Sequence, residues 1–140
     1  ALLGVTRGTG RGHVARAVLD GVACQIADLV DAMQADSGRP MVELRVDGAA
    51  AANDLLMQRQ ADLLGIPVLR PRMIETTSMG AAMLAGLAVG VWKGLDDLRE
   101  AVAIERRFRP AIARDERAAA MDGWRRAVEA VRTMAKGTPT

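Results

Sequence analysis

Aromatic residues are nearly missing from this 140-residue chain, which has no tyrosine, one phenylalanine (Phe108) and two tryptophans, Trp92 and Trp124. That scarcity disfavours an all-β sandwich. Alanine, leucine, valine and methionine must fill the core, a composition suited to close-packed helices. It also removes the stacking platforms that a single-stranded nucleic-acid binder needs between its basic residues. Cysteine is almost as rare. Cys24 stands alone, so no internal disulfide is available, and its apolar helical setting predicts a buried thiol rather than a nucleophile. Long apolar runs are lacking too: the longest, 79–92, is too short to cross a bilayer, and no signal-peptide pattern is visible. Nor does one sign of charge dominate. Nineteen basic residues face seventeen acidic ones, for a net charge of +2. The densest basic run, Glu105-Arg106-Arg107-Phe108-Arg109, is expected to be a solvated face rather than a nucleic-acid site. These absences predict a soluble globular chain in a reducing compartment, the cytoplasm, with no nucleic-acid partner and no membrane span.

Glycine, by contrast, is concentrated where the chain begins: Gly4, Gly8, Gly10 and Gly12 make regular structure impossible over 4–12. Past this loop, Val14, Val18, Val22, Ile26, Leu29 and Met33 recur at steps of three or four and predict an amphipathic helix over 13–35. Gly38 and Pro40 end it. Val42, Leu44 and Val46 alternate with Glu43 and Arg45 as a short strand. A helix is predicted over 53–64, with Leu55, Leu56, Gln60, Leu63 and Leu64 on and near one face, stopped by Gly65. A second strand follows over 66–71. Thr76, Thr77 and Ser78 offer hydroxyls to cap a third helix, 78–91, whose many small residues predict burial against close neighbours. A short helix over 96–102, extended chain over 104–110 and a last amphipathic helix over 115–134, with Met121, Trp124, Val128 and Val131 inward, complete the order. Two strands joined by a helix predict a parallel βαβ unit. The first residue is not methionine and the last ones, 136–140, resemble a frayed tail, so truncation is expected at the N-terminal side only.

The segment with most chemical content is the passage from strand to helix, Val46-Asp47-Gly48-Ala49-Ala50-Ala51-Ala52-Asn53. A bend without bulky side chains lets a ligand approach the backbone, and the N-terminus of the next helix favours phosphate. Asn53 is placed either to cap that helix or to hydrogen-bond a sugar hydroxyl. The pattern is neither a Walker A loop nor a dinucleotide fingerprint, and by itself it suits a ligand-binding loop or a plain tight turn. Asp47 is expected to bond the neighbouring turn, His13 to cap or lie exposed, and Glu75 with Thr76 and Thr77 to cap a helix. No catalytic and no metal-binding residue is assigned.

This segment resembles the adenosine motif of the actin-like ATPases, and closely that of the glycerol kinases within the FGGY carbohydrate kinase family. Val46-Asp47-Gly48 and Asn53 match, with Ala49 where the family has a second glycine. Met33-Gln34-Ala35-Asp36-Ser37-Gly38, Asn53-Asp54-Leu55-Leu56-Met57-Gln58, Gln60-Ala61-Asp62-Leu63-Leu64-Gly65 and Leu84-Ala85-Gly86-Leu87-Ala88-Val89-Gly90 resemble glycerol kinases in the same register. So do Gly4-Val5-Thr6-Arg7-Gly8 and the His13-Val14-Ala15-Arg16-Ala17 run that follows it.

The resemblance implies an α/β fold: part of a ribonuclease H-like (actin-like ATPase) domain running helix-strand-helix-strand-helix plus a C-terminal helical extension. Residues 1–92 would be a portion of the nucleotide-binding core and 93–140 the extension. It further implies an ATP-dependent glycerol kinase that is a homo-oligomer when full length, in which this segment supplies the adenosine side of the site. Gly48, Ala49 and Asn53 would be the nucleotide-binding residues. Mg²⁺, glycerol, the terminal phosphates of ATP and the catalytic aspartate would be held mainly by residues outside the segment. On this basis the segment alone is expected to be inactive, with an open strand edge at 41–46 and a third helix short of neighbours. The methyl group of Ala49 is expected to weaken nucleotide binding or shift the loop. A kinase for another polyol or sugar, or a catalytically silent nucleotide-binding or interaction module, would share these features.

Overall fold

The computed structural model of the chain describes residues 1–136; the expected tail at 137–140 lies outside the described residues. Eight regular elements follow one another: α1 (Arg11–Ser37), β1 (Leu44–Arg45), α2 (Asp54–Leu64), β2 (Val68–Pro71), α3 (Thr76–Ala88), α4 (Leu95–Ala101), β3 (Ile104–Phe108) and α5 (Arg114–Lys136). A 3-10 turn, Ala49–Ala52, separates β1 from α2. The sheet has the order β1-β2-β3. β1 runs parallel to β2, with Leu44 opposite Val68 and Arg45 opposite Leu69, as the βαβ pattern requires. β3 runs antiparallel to β2, pairing Val68 with Phe108 and Arg70 with Arg106, and the register shifts between Arg70 and Pro71. The extended chain expected over 104–110 is thus a paired strand. It makes β2 the centre of the sheet and leaves β1 paired on one side only among the described residues.

The core lies where α1, α2 and α5 meet β2. Ala23, Cys24, Ala27, Leu56, Met57, Ala61, Leu63, Val68, Phe108 and Met121 form one buried cluster, with Trp124 half-buried against it. Phe108 and Met121, from the last third of the chain, close the same core that β2 and α2 begin.

Two expectations about helix faces fail. The predicted stripe of α1 is not its buried side: Val18, Val22, Leu29 and Met33 are exposed, while Ala23, Cys24, Ala27 and Val30 are buried. α1 is apolar on two sides, and small side chains let α2 approach closely, so the contact runs through the alanines. Periodicity finds an apolar stripe but cannot choose between two. α3 is the second case. Only Gly86 is buried among its residues, and Leu84 is 69% exposed. Its small residues face open space because no described element covers that side. α5 behaves as expected, with Met121 buried and Trp124, Val128 and Val131 half-buried.

Candidate functional site

The passage from β1 to α2 is built by backbone geometry. Val46 donates its N–H to the Leu69 carbonyl at 3.1 Å, which carries the pairing with β2 to the end of the strand. The chain then turns at Gly48, whose φ of 76° lies in the left-handed region that a side chain strains. The Gly48 N–H donates to the Ile74 carbonyl at 2.8 Å, so the bend is held against the segment leading into α3. The 3-10 turn follows at once and ends at Asn53. Among the described residues no non-glycine residue has positive φ. Ala49 therefore sits in ordinary backbone space, free of the strain that a left-handed conformation would impose on an alanine. Ala49 and Asn53 are exposed and Gly48 is half-buried.

Asn53 is the N-cap of α2: its Oδ1 accepts the Leu56 N–H at 3.1 Å. Its amide NH₂ has no partner among the described residues, so capping leaves a donor for a ligand. The two roles weighed for Asn53 are compatible. Asp47 departs from expectation. Its carboxylate accepts a hydrogen bond from the Thr76 hydroxyl at the start of α3, not from its own turn. Thr76 is consequently inside α3 rather than capping it, and Glu75, at the N-cap, makes no side-chain capping bond. His13 caps as expected, its Nδ1 accepting the Gly10 N–H at 3.0 Å.

Two grooves open beside the carboxyl ends of β1 and β2, where ligands of open α/β sheets bind. One, of about 260 Å³, is lined by Val46, Asp47, Leu69, Pro71, Thr76 and Ile104, together with Arg45 and Val102. The other, of about 430 Å³, runs along α3 past Met73, Met79 and Met83 and shares Pro71, Thr76 and Val102 with the first. Gly48, Ala49 and Asn53 follow Asp47 along the loop and line neither groove. Among the described residues no three His, Cys, Asp or Glu side chains are grouped to hold a metal ion.

Sequence reasoning missed the group that holds the far end of this loop. Arg70, in β2, is 8% exposed. Its Nη1 donates to the Ala51 carbonyl at 2.8 Å and to Asp54 Oδ1 at 2.7 Å, and its Nε donates to Glu105 Oε2 at 2.7 Å. The guanidinium lies 5.3 Å from the centre of the Phe108 ring. Arg106 donates to the other oxygen of Asp54 and also stands over Phe108, at 4.7 Å. The hydrogen bond from Arg70 holds the Asp54 carboxyl below its usual range; Arg106 adds to this and desolvation opposes it. Bonds from Glu105 and then Asp54 raise Arg70 in turn. The one signal in the sequence was a charged residue inside a short apolar strand, which needs partners if buried. The basic run around Arg106 is solvated, as expected. Its charges are engaged: Arg107 reaches Glu43 at 3.8 Å while Glu105 and Arg106 join this cluster.

Comparison with known proteins agrees with this architecture. Residues 1–89 match the model of the FGGY family of carbohydrate kinases, C-terminal domain. The chain is 60% identical over 131 residues to a glycerol kinase of Aromatoleum aromaticum, covering 94% of this chain and 26% of that protein. It is 59% identical over 128 residues to the glycerol kinase of Bordetella pertussis, covering 91% and 25%. It thus spans about a quarter of the length of these relatives. Among solved structures, Plasmodium falciparum glycerol kinase with ADP superposes with a TM-score of 0.83 at 33% identity, covering 92% of this chain and 26% of that one. A xylulose kinase from Rhodospirillum rubrum, 22% identical, shares the fold with a TM-score of 0.77 over 96% of this chain and 28% of its own. No helix among the described residues is long and apolar enough to cross a membrane. The chain belongs to the FGGY family of carbohydrate kinases and carries sequence of its C-terminal domain.

Proposed function

We propose that this chain is the C-terminal portion of a glycerol kinase, an enzyme that transfers the γ-phosphoryl group of ATP to a hydroxyl of glycerol and yields sn-glycerol 3-phosphate and ADP. The observation that carries the reading is the identity to glycerol kinases along nearly the whole chain. In this reading residues 1–92 form part of the nucleotide-binding core and 93–140 its C-terminal extension. The enzyme is cytoplasmic, works on Mg²⁺-ATP and assembles as a homo-oligomer.

The chain's own residues would hold the adenosine side of the nucleotide. Gly48 shapes the bend, Ala49 presents backbone at the start of the 3-10 turn, and Asn53 offers its amide NH₂ while its oxygen caps α2. The nucleotide supplies the phosphoryl group. The segment's contribution is to fix the nucleotide's position, and positioning is a large share of catalysis in phosphoryl transfer. Acid–base work and metal binding fall to the longer protein.

The test uses the full-length protein. Calorimetric titration with ADP is expected to show one site per chain. ADP release coupled to an indicator is expected to require glycerol in preference to xylulose or gluconate. Asn53→Ala should weaken ADP by about 1–2 kcal/mol through loss of a donor and a cap. Ala49→Gly should tighten it if the Ala49 methyl meets the nucleotide. A full-length protein that binds no ADP, or that turns over another polyol better than glycerol, contradicts the proposal.

A further inference from the structure

Both ends of the loop 48–53 are held by residues distant in sequence, and the two attachments differ in kind. The near end rests on one backbone bond, Gly48 to Ile74, and on the Thr76 hydroxyl at Asp47. At the far end the Ala51 methyl packs into the core and one distant side chain supplies the polar hold. Arg70 reaches from the central strand to the last part of the 3-10 turn through the Ala51 carbonyl. It also reaches the first residue of α2 through Asp54, and β3 through Glu105. Asn53 stands between the two points that Arg70 grips, Ala51 and Asp54. Within the turn, Ala49–Ala52, the Ala51 methyl packs into the core, but no polar side chain is present to fix the direction of the backbone.

We propose that Arg70 is the positioning residue of the nucleotide site: it fixes where Asn53 stands without touching the nucleotide. The inference rests on the nucleotide-binding role given above to Gly48, Ala49 and Asn53. Three features make arginine the required residue. Its planar fork reaches three acceptors on three different elements from separate nitrogens in a fixed plane, whereas an ammonium group must direct all its donors from one nitrogen. The guanidinium also lies over the Phe108 ring, 5.3 Å from its centre, a cation–π contact that adds to the hydrogen bonds. Its charge is balanced by two carboxylates, which makes a buried guanidinium tolerable. Arg106 completes the arrangement by donating to the second oxygen of Asp54, which favours the carboxylate orientation that meets Arg70.

The experiment compares full-length wild type with Arg70→Lys, Asp54→Asn and Glu105→Gln. ADP affinity is measured by calorimetry, and KM is measured separately for ATP and for glycerol. Because Arg70 acts through Asn53, its loss is bounded by that of Asn53→Ala: a change of up to about 5- to 30-fold is expected in ADP Kd and in KM for ATP for Arg70→Lys, with KM for glycerol moving less than about twofold. Asp54→Asn should follow in the same direction. Glu105→Gln should have a smaller effect, because Glu105 touches neither the turn nor α2. This ordering separates positioning from a general structural role, which would shift both KM values together or follow the loss in Tm. Should Arg70→Lys fail to fold, the Asp54 and Glu105 variants carry the test, each neutralising one carboxylate that the fork holds. Folded variants that bind ADP as wild type does overturn the role of Arg70 and leave the nucleotide site standing. A wild type that binds no ADP overturns the nucleotide reading, and this inference with it.

Discussion

Around β2 the chain is enclosed on both faces. Val68, Leu69, Arg70 and Pro71 are all buried, flanked by α2 on one side and paired with β1 and β3 at their edges. Residues 72–103 are the reverse. α3 is built from apolar and small residues, yet Leu84, Val89 and Val91 are each more than 60% exposed and Trp92 folds back over Gly86 for want of a larger partner. A helix apolar on all sides is the composition of a buried helix. α3 therefore has the sequence of an element surrounded by protein and, among the described residues, the surroundings of a surface one. Stability in this chain is concentrated near β2, while the groove along α3 lies in the less packed region.

Truncating a large side chain in each region is the strongest way to test that contrast. Met57 is fully buried in α2, and Met57→Ala is expected to cost about 2–5 kcal/mol through lost burial and a cavity. Leu84→Ala removes a side chain of similar size from α3, with little change in helix propensity, and should stay within about 0.5 kcal/mol. Urea unfolding of both variants decides it. Comparable losses would mean that α3 is packed as firmly as α2.

The same division explains what the sequence disclosed. Element positions came through well because their signals are local: Gly65 stops α2, Asn53 caps it, and alternation marks β1. Burial came through less well. The stripe on α1 was real, but whether it meets a partner depends on elements elsewhere in the chain. The loop 48–53 was visible from its small residues, whereas its anchor was not. Arg70 finds Ala51, Asp54 and Glu105 at sequence separations of 19, 16 and 35, distances that no local pattern encodes. Thr76 and Asp47, 29 residues apart, were missed for the same reason.

Glycines provide a smaller contrast, with opposite signs in the two regions. Gly65 closes α2 at a φ of 70°, and a Cβ there would collide with the Arg117 guanidinium, which donates to the Leu64 carbonyl at 3.0 Å. Gly65→Ala is expected to cost about 2 kcal/mol from left-handed strain and the displaced arginine. Gly80, inside α3, has nothing within 4 Å of the place a Cβ would take. Gly80→Ala should instead stabilise α3 by about 0.5–1 kcal/mol, through the entropy that glycine forfeits in a helix. Denaturant midpoints measure the first effect, and amide exchange within α3 the second. Faster exchange in Gly80→Ala would show that α3 needs the glycine for a contact.

Thiol chemistry reads the contrast through access rather than through stability. Cys24 is buried between α1 and its neighbours, and burial raises its thiol above the ordinary value; Arg59 pulls it down, while Asp20 and Asp28 add to the rise. A raised thiol pKa lowers the thiolate fraction at neutral pH, so both access and chemistry slow its reaction. In native protein Cys24 should react with a disulfide reagent at least about 100-fold more slowly than in urea, because modification waits for the core to open. A Ser78→Cys thiol on the exposed start of α3, placed in a Cys24→Ala background, should react at close to the free-thiol rate. The ratio of the two rates, corrected for the lower thiolate fraction of Cys24, measures how rarely the core around Cys24 opens compared with a thiol already at the surface. Equal rates would mean that Cys24 is reached through motion of α1 alone, and that the packing around β2 protects less of the molecule than its buried side chains imply.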